Sequence, residues 1–450
     1  MSQHEHAKSH HGHQHWPIVI ALIGGIGAGV ILQQFAHPAE GDVPGWVASI
    51  LTFCRFVSDL FLRALKMVIV PLVVASIISG IAGLRSLDGF ARMGLKTCVY
   101  YVLGSFAAVC VGLFMVNTIK PGISEGKPNS TLRAAMDSAL NSKSASEVGD
   151  VMKKAEGGAS SLLDILKRMI PTNVIEACAK GDLLAIIVFS ILFAVAMVLV
   201  PGGSPETLRE VFAQLADVMT LITTWVMKVT PLAVFCLVIP AIAEVGLGVL
   251  QNLVPYVLTV VGALLLHTLL VMPIVLKFSG VSPMKHFRNM SEALLMSFST
   301  ASSTATIPVT MRCIQDQAKV SERVSSFVIP LGATVNMNGT ALYECVVVVF
   351  AAQVMGLDLS LAQQFIVVLL ALVSSIGVAG IPAASLVAII IIMQNAGFSE
   401  DMIKASLGLI LTIDRPLDMA RTTVNVFGDT VGAVVIAKSE GESLEAESIA

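Results

Sequence analysis

Apolar stretches long enough to cross a bilayer recur along this chain, and that recurrence limits its fold more than any single motif does. A helix of about 20 predominantly apolar residues spans the hydrocarbon core, where every backbone N–H and C=O must find its partner inside the protein. Such stretches run from Trp16 to about Phe35, from Trp46 to about Leu84 and from Cys98 to Ile119, then at about Leu162 to Leu199, Leu208 to Val245 and Val254 to Lys277. Composition agrees, because 55% hydrophobic against 13% charged residues over 450 positions describes a polytopic membrane protein and not a soluble enzyme. A net charge of -3 carries no basic excess that would draw the chain to nucleic acid. The seven cysteines (Cys54, Cys98, Cys110, Cys178, Cys236, Cys313 and Cys345) have no paired spacing, so neither a disulfide framework nor a zinc site is indicated and all seven are expected in the core.

Charge placement sets the expected orientation. The first short loop, "HPAEGDVPG", holds acids and no Lys or Arg, whereas the second, "RSLDGFARMGLK", carries Arg85, Arg92 and Lys96. The positive-inside rule therefore puts the N-terminus and the second loop in the cytoplasm. A later short loop, "KFSGVSPMKHFR", is again basic and again expected inside. The opening "MSQHEHAKSHHGHQH" reads as a solvated tail, with a weak metal-loading site as the lesser alternative. The first apolar stretch has no small-residue cleavage site behind it and is not a signal peptide. Arg55, Asp59, Arg63 and Lys66 in the second stretch require part of it to face protein, an interface or water. Residues 120–158 are polar and rich in Ser, Lys and Gly, which predicts a long external loop; its "NST" at Asn129 is a glycosylation acceptor only in a eukaryotic host. His267, in "LLLHTLL", is expected to be a satisfied core histidine and not a proton carrier.

Beyond Lys285 the pattern changes. One apolar stretch is interrupted by "STASSTATIP" (Ser299 to Pro308) and another by "SSIGVAGIPAAS" (Ser374 to Ser385). Irregular backbone at membrane depth is tolerated only where protein or a wet cavity satisfies it, and a pair of such breaks points to a transporter site built on an inverted repeat. Two kinked ordinary spans are the simpler alternative. A further interruption, "GATVNMNGTALYE" (Gly332 to Glu344), predicts local unwinding that frees carbonyls for a hard cation such as sodium, with Asn336, Thr340 and Glu344 on one face. Near the C-terminus, Asp414, Asp418, Arg421, Asn425 and Asp429 fall within an arc of roughly 80° on one helix. A charge at mid-bilayer costs on the order of 2.5–3.5 kcal/mol, so this stripe must face partners and not lipid. Internal pairing of Arg421 with Asp414 or Asp418 is one account, but three acids against one arginine leave excess negative charge that calls for a bound cation.

The motifs "SSTATIP", "NMNGTALYE", "SIGVAGIP" and "DMARTTVNVFGD", with "LKMVIVPLVVAS" at Leu65 to Ser76, resemble those of the dicarboxylate/amino acid:cation symporters, the glutamate transporter family. The resemblance covers nearly the whole chain and implies an all-α polytopic fold of eight transmembrane helices and two re-entrant helical hairpins, with inverted repeats, elevator-type transport and a homotrimer. It divides the chain into a His-rich cytoplasmic tail (1–15), segments one and two (16–96), segment three (97–119), the external loop (120–158), segments four and five (159–249), and a stretch (250–438) holding segment six, hairpin 1, segment seven, hairpin 2 and segment eight, before a cytoplasmic tail (439–450). Segments one, two, four and five would be scaffold and the rest a mobile transport domain. The host membrane would be a prokaryotic cell (inner) membrane.

Carried over residue by residue, the resemblance implies that Asp418 holds a substrate amino group, Arg421 the side-chain carboxylate and Asn425 the α-carboxylate. Thr340 and Thr422 would contact the substrate as well, and Ser303 and the backbone at Ile381 would close over it. An ionised Asp suits an ammonium and a planar guanidinium suits a carboxylate, so the implied cargo is L-aspartate or L-glutamate; C4-dicarboxylates and neutral amino acids are the alternatives. The implied sodium ligands are Gly332, Asn336, Asn425 and Asp429 at one site and Thr334, Met337, Ser375 and Ile376 at another, with no cofactor. A third family site is in doubt because Gly104, Ser105 and Asn338 stand where the family has a Thr, a Ser and an Asp, leaving Tyr101, Ser105 and Asn336. Glu344 matches a proton acceptor of animal relatives, which gives a hypothesis of two sodium ions plus one proton; a permanently paired structural acid is its alternative. The family's extra arginine is missing, since its two positions are Ala301 and Met419, and Arg415 either replaces it or snorkels to the interface. An intramembrane hydrolase, using Ser303 and His267, lacks a GxSxG elbow and is a remote reading; a passive channel fits paired hairpins less well than a carrier. The chain is therefore expected not to be an enzyme.

Overall fold

A computed structural model describes residues 15–36, 44–82, 87–139, 167, 169–200, 206–243, 247–377 and 385–444. The described chain is helical apart from one small hairpin, and its helices are named here in chain order: α1 (His15–Ala36), α2 (Gly45–Ala82), α3 (Leu87–Ile119), α4 (Ser130–Ala139), α5 (Val174–Lys180), α6 (Leu183–Leu199), α7 (Glu206–Met227), α8 (Thr230–Ala243), α9 (Leu247–Leu266), α10 (Met272–Phe278), α11 (Pro283–Thr300), α12 (Ser303–Asp316), α13 (Glu322–Val335), α14 (Asn338–Met355), α15 (Leu361–Gly377), α16 (Ser385–Asn395) and α17 (Glu400–Ser439). Several ends carry local start signals in the sequence. Ser302, Ser321 and Ser399 each accept a backbone N–H from the first turn of the helix they precede, satisfying groups that a helix start otherwise leaves unpaired.

Five stretches among the described residues are long and apolar enough to cross a membrane: Pro17–Phe35, Gly45–Ser79, Ala91–Ile119, Leu253–Phe278 and Glu322–Met355. A sixth is formed if α7 and α8 count together across their 61° bend, while α6 and α15 are shorter apolar helices. The Glu322–Met355 stretch, made of α13 and α14, lies at the centre of the bundle with 94% of its apolar window buried. Around it are two main cores. One joins α2, α6 and α11 to α13 with the C-terminal half of α17, as in Leu65, Ile187, Met296, Val328 and Val431; the other joins α3, α4, α9 and α14 to α16 with the first half of α17, as in Val109, Met136, Val260, Val347, Ile390 and Ile410. Long helix α17 thus belongs to both. Its middle carries polar groups that meet α14 and the break that precedes it.

Several expectations need correction. The stretch 120–158 is not simply a loop: after the left-handed turn at Lys120, strands Ile123–Ser124 and Lys127–Pro128 pair antiparallel, and α4 plugs Leu132 and Met136 into the core. Asn129 starts α4 by accepting the N–H groups of Thr131 and Leu132, and Arg133 donates to the Met355 carbonyl at the end of α14; the remainder of that stretch lies outside the described residues, apart from its neighbours already named. Polarity hid an amphipathic helix. The third segment starts at Leu87, not Cys98, because Arg92 and Lys96 continue the helix into the polar region and pair with Glu440. The fourth breaks between α5 and α6 at Gly181, which adopts φ 68° in the left-handed region that glycine tolerates. Not all cysteines are core: Cys98 and Cys110 are exposed, and Cys178 is half-buried. Nor is His267 satisfied. It opens a π-helical turn (His267–Val271) and is fully buried, with neither ring nitrogen partnered among the described residues.

Candidate functional site

The charged stripe is real and internal. Asp414, Asp418, Arg421, Asn425 and Asp429 of α17 are each no more than 5% exposed, so the cost of charge in a low dielectric is met by partners and not by water. Arg421 is the hub. Its guanidinium pairs with Asp414 at 2.9 Å and with Asp418 at 3.0 Å, and its central carbon lies 4.0 Å from the centre of the Tyr343 ring, a cation–π contact in a desolvated setting. Tyr343 completes the loop by donating its hydroxyl to Asp414 at 2.9 Å. Internal pairing therefore exists, and it is more extensive than the sequence suggested. It still divides one positive charge between two carboxylates, while Asp429 further along the stripe has an amide, not a cation, as its neighbour.

One turn on, Asn425 holds the interrupted helix. The chain leaves helical geometry at Asn336 and Met337 and resumes at Asn338, as the Asn-rich interruption predicted. Met337 makes no side-chain cap; instead Asn425 accepts the N–H of Gly339 at 2.7 Å and of Thr340 at 3.3 Å, and donates to Thr340 Oγ1 at 3.0 Å and Met337 Sδ at 3.3 Å. α14 is thereby capped from another helix. Gly339 permits the approach: a Cβ there would lie 2.5 Å from the Arg421 carbonyl oxygen, an atom no rotamer change can move.

A second polar node lies toward Asp429. Asn336 Nδ2 donates to Asp429 Oδ1 at 2.8 Å, whereas Asn336 Oδ1 is buried without a hydrogen-bond partner. Gly332, one helical turn before Asn336, leaves open the space where a Cβ would come within 2.5 Å of Asp429 Oδ1 and 2.7 Å of the Tyr101 hydroxyl. A carboxylate beside an orphaned amide oxygen, with the space above Gly332 left open, is an oxygen-rich and buried cluster, which is the donor chemistry of a hard cation. Its neighbour differs. Asn338 Oδ1 accepts the Ser105 hydroxyl at 2.8 Å, and its Nδ2, a donor, is the group left unpartnered. Tyr101 gives its hydroxyl proton to the Val328 carbonyl at 2.6 Å. Here the amide oxygen is already engaged and a donor is left over, so the polar set differs from that at Asn336.

The remaining expected site residues fall in three places. Ser303 is buried at the start of α12, just after the α11–α12 turn whose Ala301 adopts φ 48°. Ala301 and Met419 share one apolar cluster with Ile18, Val234 and Val238 of α1 and α8, which explains why neither is charged here: both press on the neighbouring helices. Thr422 is buried, and Thr334 donates to the Leu331 carbonyl at 2.9 Å. Ser375 is buried in the last turn of α15, with Ile376 next to it, and α15 touches α13. Ile381 lies outside the described residues. Glu344, fully buried, accepts the Ser374 hydroxyl at 3.1 Å through one oxygen while the other has no hydrogen-bond partner. It has no basic ion-pair partner among the described residues. Arg415 is half-buried and forms no ion pair among the described residues.

Three contributors escaped the sequence reading. Tyr343 holds both Arg421 and Asp414, Ser374 holds Glu344, and Gly428 makes room for the amides of Asn336 and Asn338, each within 2.9 Å of where its Cβ would sit. Tyr343 follows Thr340 by three residues on α14, a helical neighbour that the shared-face argument allowed.

A buried stripe with more acids than bases, facing an unwound helix inside a bundle of membrane-length apolar helices, is the arrangement of a membrane carrier of charged solutes. The sequence profile of the sodium:dicarboxylate symporter family matches residues 15–439, and the chain belongs to that family. It is 31% identical over 428 residues to the proton/glutamate-aspartate symporter of Escherichia coli (strain K12), covering 94% of this chain and 92% of that one. It is 32% identical over 427 residues to the proton/sodium-glutamate symport protein of Bacillus subtilis (strain 168), with 94% and 92% covered. Against the excitatory amino acid transporter 3 of Mus musculus the identity is 30% over 485 residues, with 96% and 87% covered.

Proposed function

We propose that this protein is a secondary active symporter that brings an acidic amino acid, L-aspartate or L-glutamate, into the cell by alternating access, driven by sodium and one proton. The observation that carries the proposal is the sharing of Arg421 between Asp414 and Asp418. A ligand with both an ammonium and a side-chain carboxylate exchanges partners at this point: its carboxylate takes the guanidinium, and its ammonium takes the Asp418 carboxylate thereby released. The ammonium restores a cation beside Asp418 and the α-carboxylate falls to Asn425, whereas a dicarboxylate would take the guanidinium and bring no cation in exchange, which is costly in a buried site. A neutral amino acid would leave Arg421 where it is and gain nothing from it. The relatives are named for glutamate and aspartate, in keeping with this choice.

Two sodium ions are assigned, one at Gly332, Asn336, Asn425 and Asp429, the other at the carbonyls of Thr334, Met337, Ser375 and Ile376. The Asn338–Ser105 bond argues against a third. Glu344, with one oxygen unpartnered, is assigned the proton. The α11–α12 and α15–α16 pairs are read as the two re-entrant hairpins and Ser303 and Ile381 as parts of their tips, in a transport domain that moves against a scaffold of α1, α2 and α5 to α8. The assembly is read as a homotrimer in the cell (inner) membrane with both termini cytoplasmic, and the chain as performing no covalent chemistry.

The test is calorimetric titration of the purified protein with L-aspartate in sodium and in choline buffer. Binding that requires sodium and is lost in Asp418→Ala is expected. Equal binding of succinate and L-aspartate would overturn the assignment of Asp418.

A further inference from the structure

At the end of the bundle where α17 finishes, a cavity of about 190 Å³ opens between the α10–α11 turn, the α12–α13 turn and the last turn of α17. Its lining includes Gly280, Ser282, Lys285, His286, Asn289 and Lys438, and no Asp or Glu. The neighbouring cations are already engaged: Arg92, Lys96 and Arg323 all turn to Glu440. Lys285 and the half-buried Lys438 make no ion pair among the described residues, so two positive charges meet in a concave site whose lining holds no carboxylate, with only the C-terminal end of the α17 dipole beside Lys438 to offset them. The eighteen-residue helix α11 begins at this cavity, and its N-cap Ser282 makes no side-chain cap, which leaves first-turn N–H groups and the positive end of the helix dipole available there. His286, 2% exposed, forms part of the wall and is fixed by Thr430 at 3.1 Å.

Two large apolar side chains flank the cavity in sequence. Phe278, just before Gly280, is 90% exposed, and Met284, beside Lys285, is 78% exposed. A cationic pocket with apolar side chains standing out next to it matches a molecule that has an anionic head and hydrocarbon tails. We propose that this pocket binds the phosphate of an anionic phospholipid, with Lys285 and Lys438 on the phosphate oxygens and Phe278 and Met284 along the acyl chains. Basic pockets between helices at the cytoplasmic face recognise such headgroups, and the orientation proposed above puts this end at that face. The volume is below the roughly 300 Å³ of ordinary small-molecule sites, which suits a headgroup held only by its phosphate.

The experiment measures melting of the full-length, detergent-purified protein, without sodium or amino acid, so that it stands apart from transport. Dioctanoyl phosphatidylglycerol is compared with dioctanoyl phosphatidylcholine and with inorganic phosphate at equal concentration, in wild type and in Lys285→Gln/Lys438→Gln. Phosphatidylglycerol is expected to stabilise the wild type selectively, with about 30-fold weaker apparent binding in the double variant and about 5-fold in each single variant; the single variants serve if the double variant does not fold. An undiminished phosphatidylglycerol response in the variants would overturn the site. Inorganic phosphate matching phosphatidylglycerol in the wild type would overturn the lipid in favour of a free anion. A response that appears only when the chain is shortened after Leu444 would show that the acidic residues that follow, Glu445 and Glu447, compete for the lysines and would overturn the lipid as occupant.

Discussion

Replacing Asn425 by alanine removes the cap that α17 lends to α14. Two buried N–H groups, those of Gly339 and Thr340, lose their acceptor, and the Thr340 hydroxyl loses the donor that fixes it. An unpaired buried donor costs about 1–3 kcal/mol. The Gly339 bond at 2.7 Å should count in full and the Thr340 bond at 3.3 Å for less, which gives a loss of about 3 kcal/mol. In a chain of this size that corresponds to a fall in melting temperature of about 3–6 °C. The assay is a thermal melt of the purified protein in sodium-free, amino-acid-free detergent solution, so that lost ligand binding cannot contribute. Asn425→Asp retains an acceptor for both N–H groups and should melt between wild type and the alanine variant. If Asn425→Ala melts within about 1 °C of wild type, α14 does not depend on a cap from α17, and the coupling of the unwound segment to the stripe is wrong.

Other perturbations follow from the same geometry. Gly339→Ala places a methyl carbon 2.5 Å from a backbone carbonyl, and overpacking of this kind costs about 1–3 kcal/mol; a lower melting temperature with weaker L-aspartate binding is expected. Arg421→Gln removes the cation that buried Asp414 and Asp418 share, so it should lower the melting temperature at neutral pH and abolish L-aspartate binding in the calorimeter. Glu440 stands outside the membrane-spanning part of α17, and its hydrogen bond from Arg92, with Lys96 adding to it, holds its carboxyl down at about 2. Its contribution to stability is therefore complete above the ordinary glutamate range and is lost as pH falls from there through about 2. Glu440→Gln should melt lower than wild type at pH 7, and the difference should shrink between pH 4.5 and 2 in a series of melts.

How much of this was legible in the sequence depends on whether the signal was periodic. The stripe on α17 was, because its charges recur at three- and four-residue steps, and so was the break at Asn336, because Asn and Gly adjoin there in an apolar run. The role of Tyr343 was not, since its partners lie seventy-odd residues along the chain and only packing brings α14 and α17 together. α4 was missed because loop-like composition masked two core residues, Leu132 and Met136, spaced one helical turn apart. His267 was read by its apolar neighbours, which reveal burial but not whether a hydrogen-bond partner exists. The uncharged Ala301 and Met419 looked like losses from a family pattern; their shared contact with α1 and α8 accounts for them.

The central claim is that the Arg421 stripe takes an acidic amino acid and that Glu344 carries a proton with it. Uptake of labelled L-aspartate into proteoliposomes, with the sodium and proton gradients imposed separately and together, tests both parts, using wild type and Glu344→Gln side by side. Concentrative uptake that requires sodium, is raised by an inward proton gradient in wild type and is indifferent to that gradient in Glu344→Gln is the predicted result. Wild-type uptake that ignores the proton gradient, or no accumulation of L-aspartate under any gradient, would contradict it.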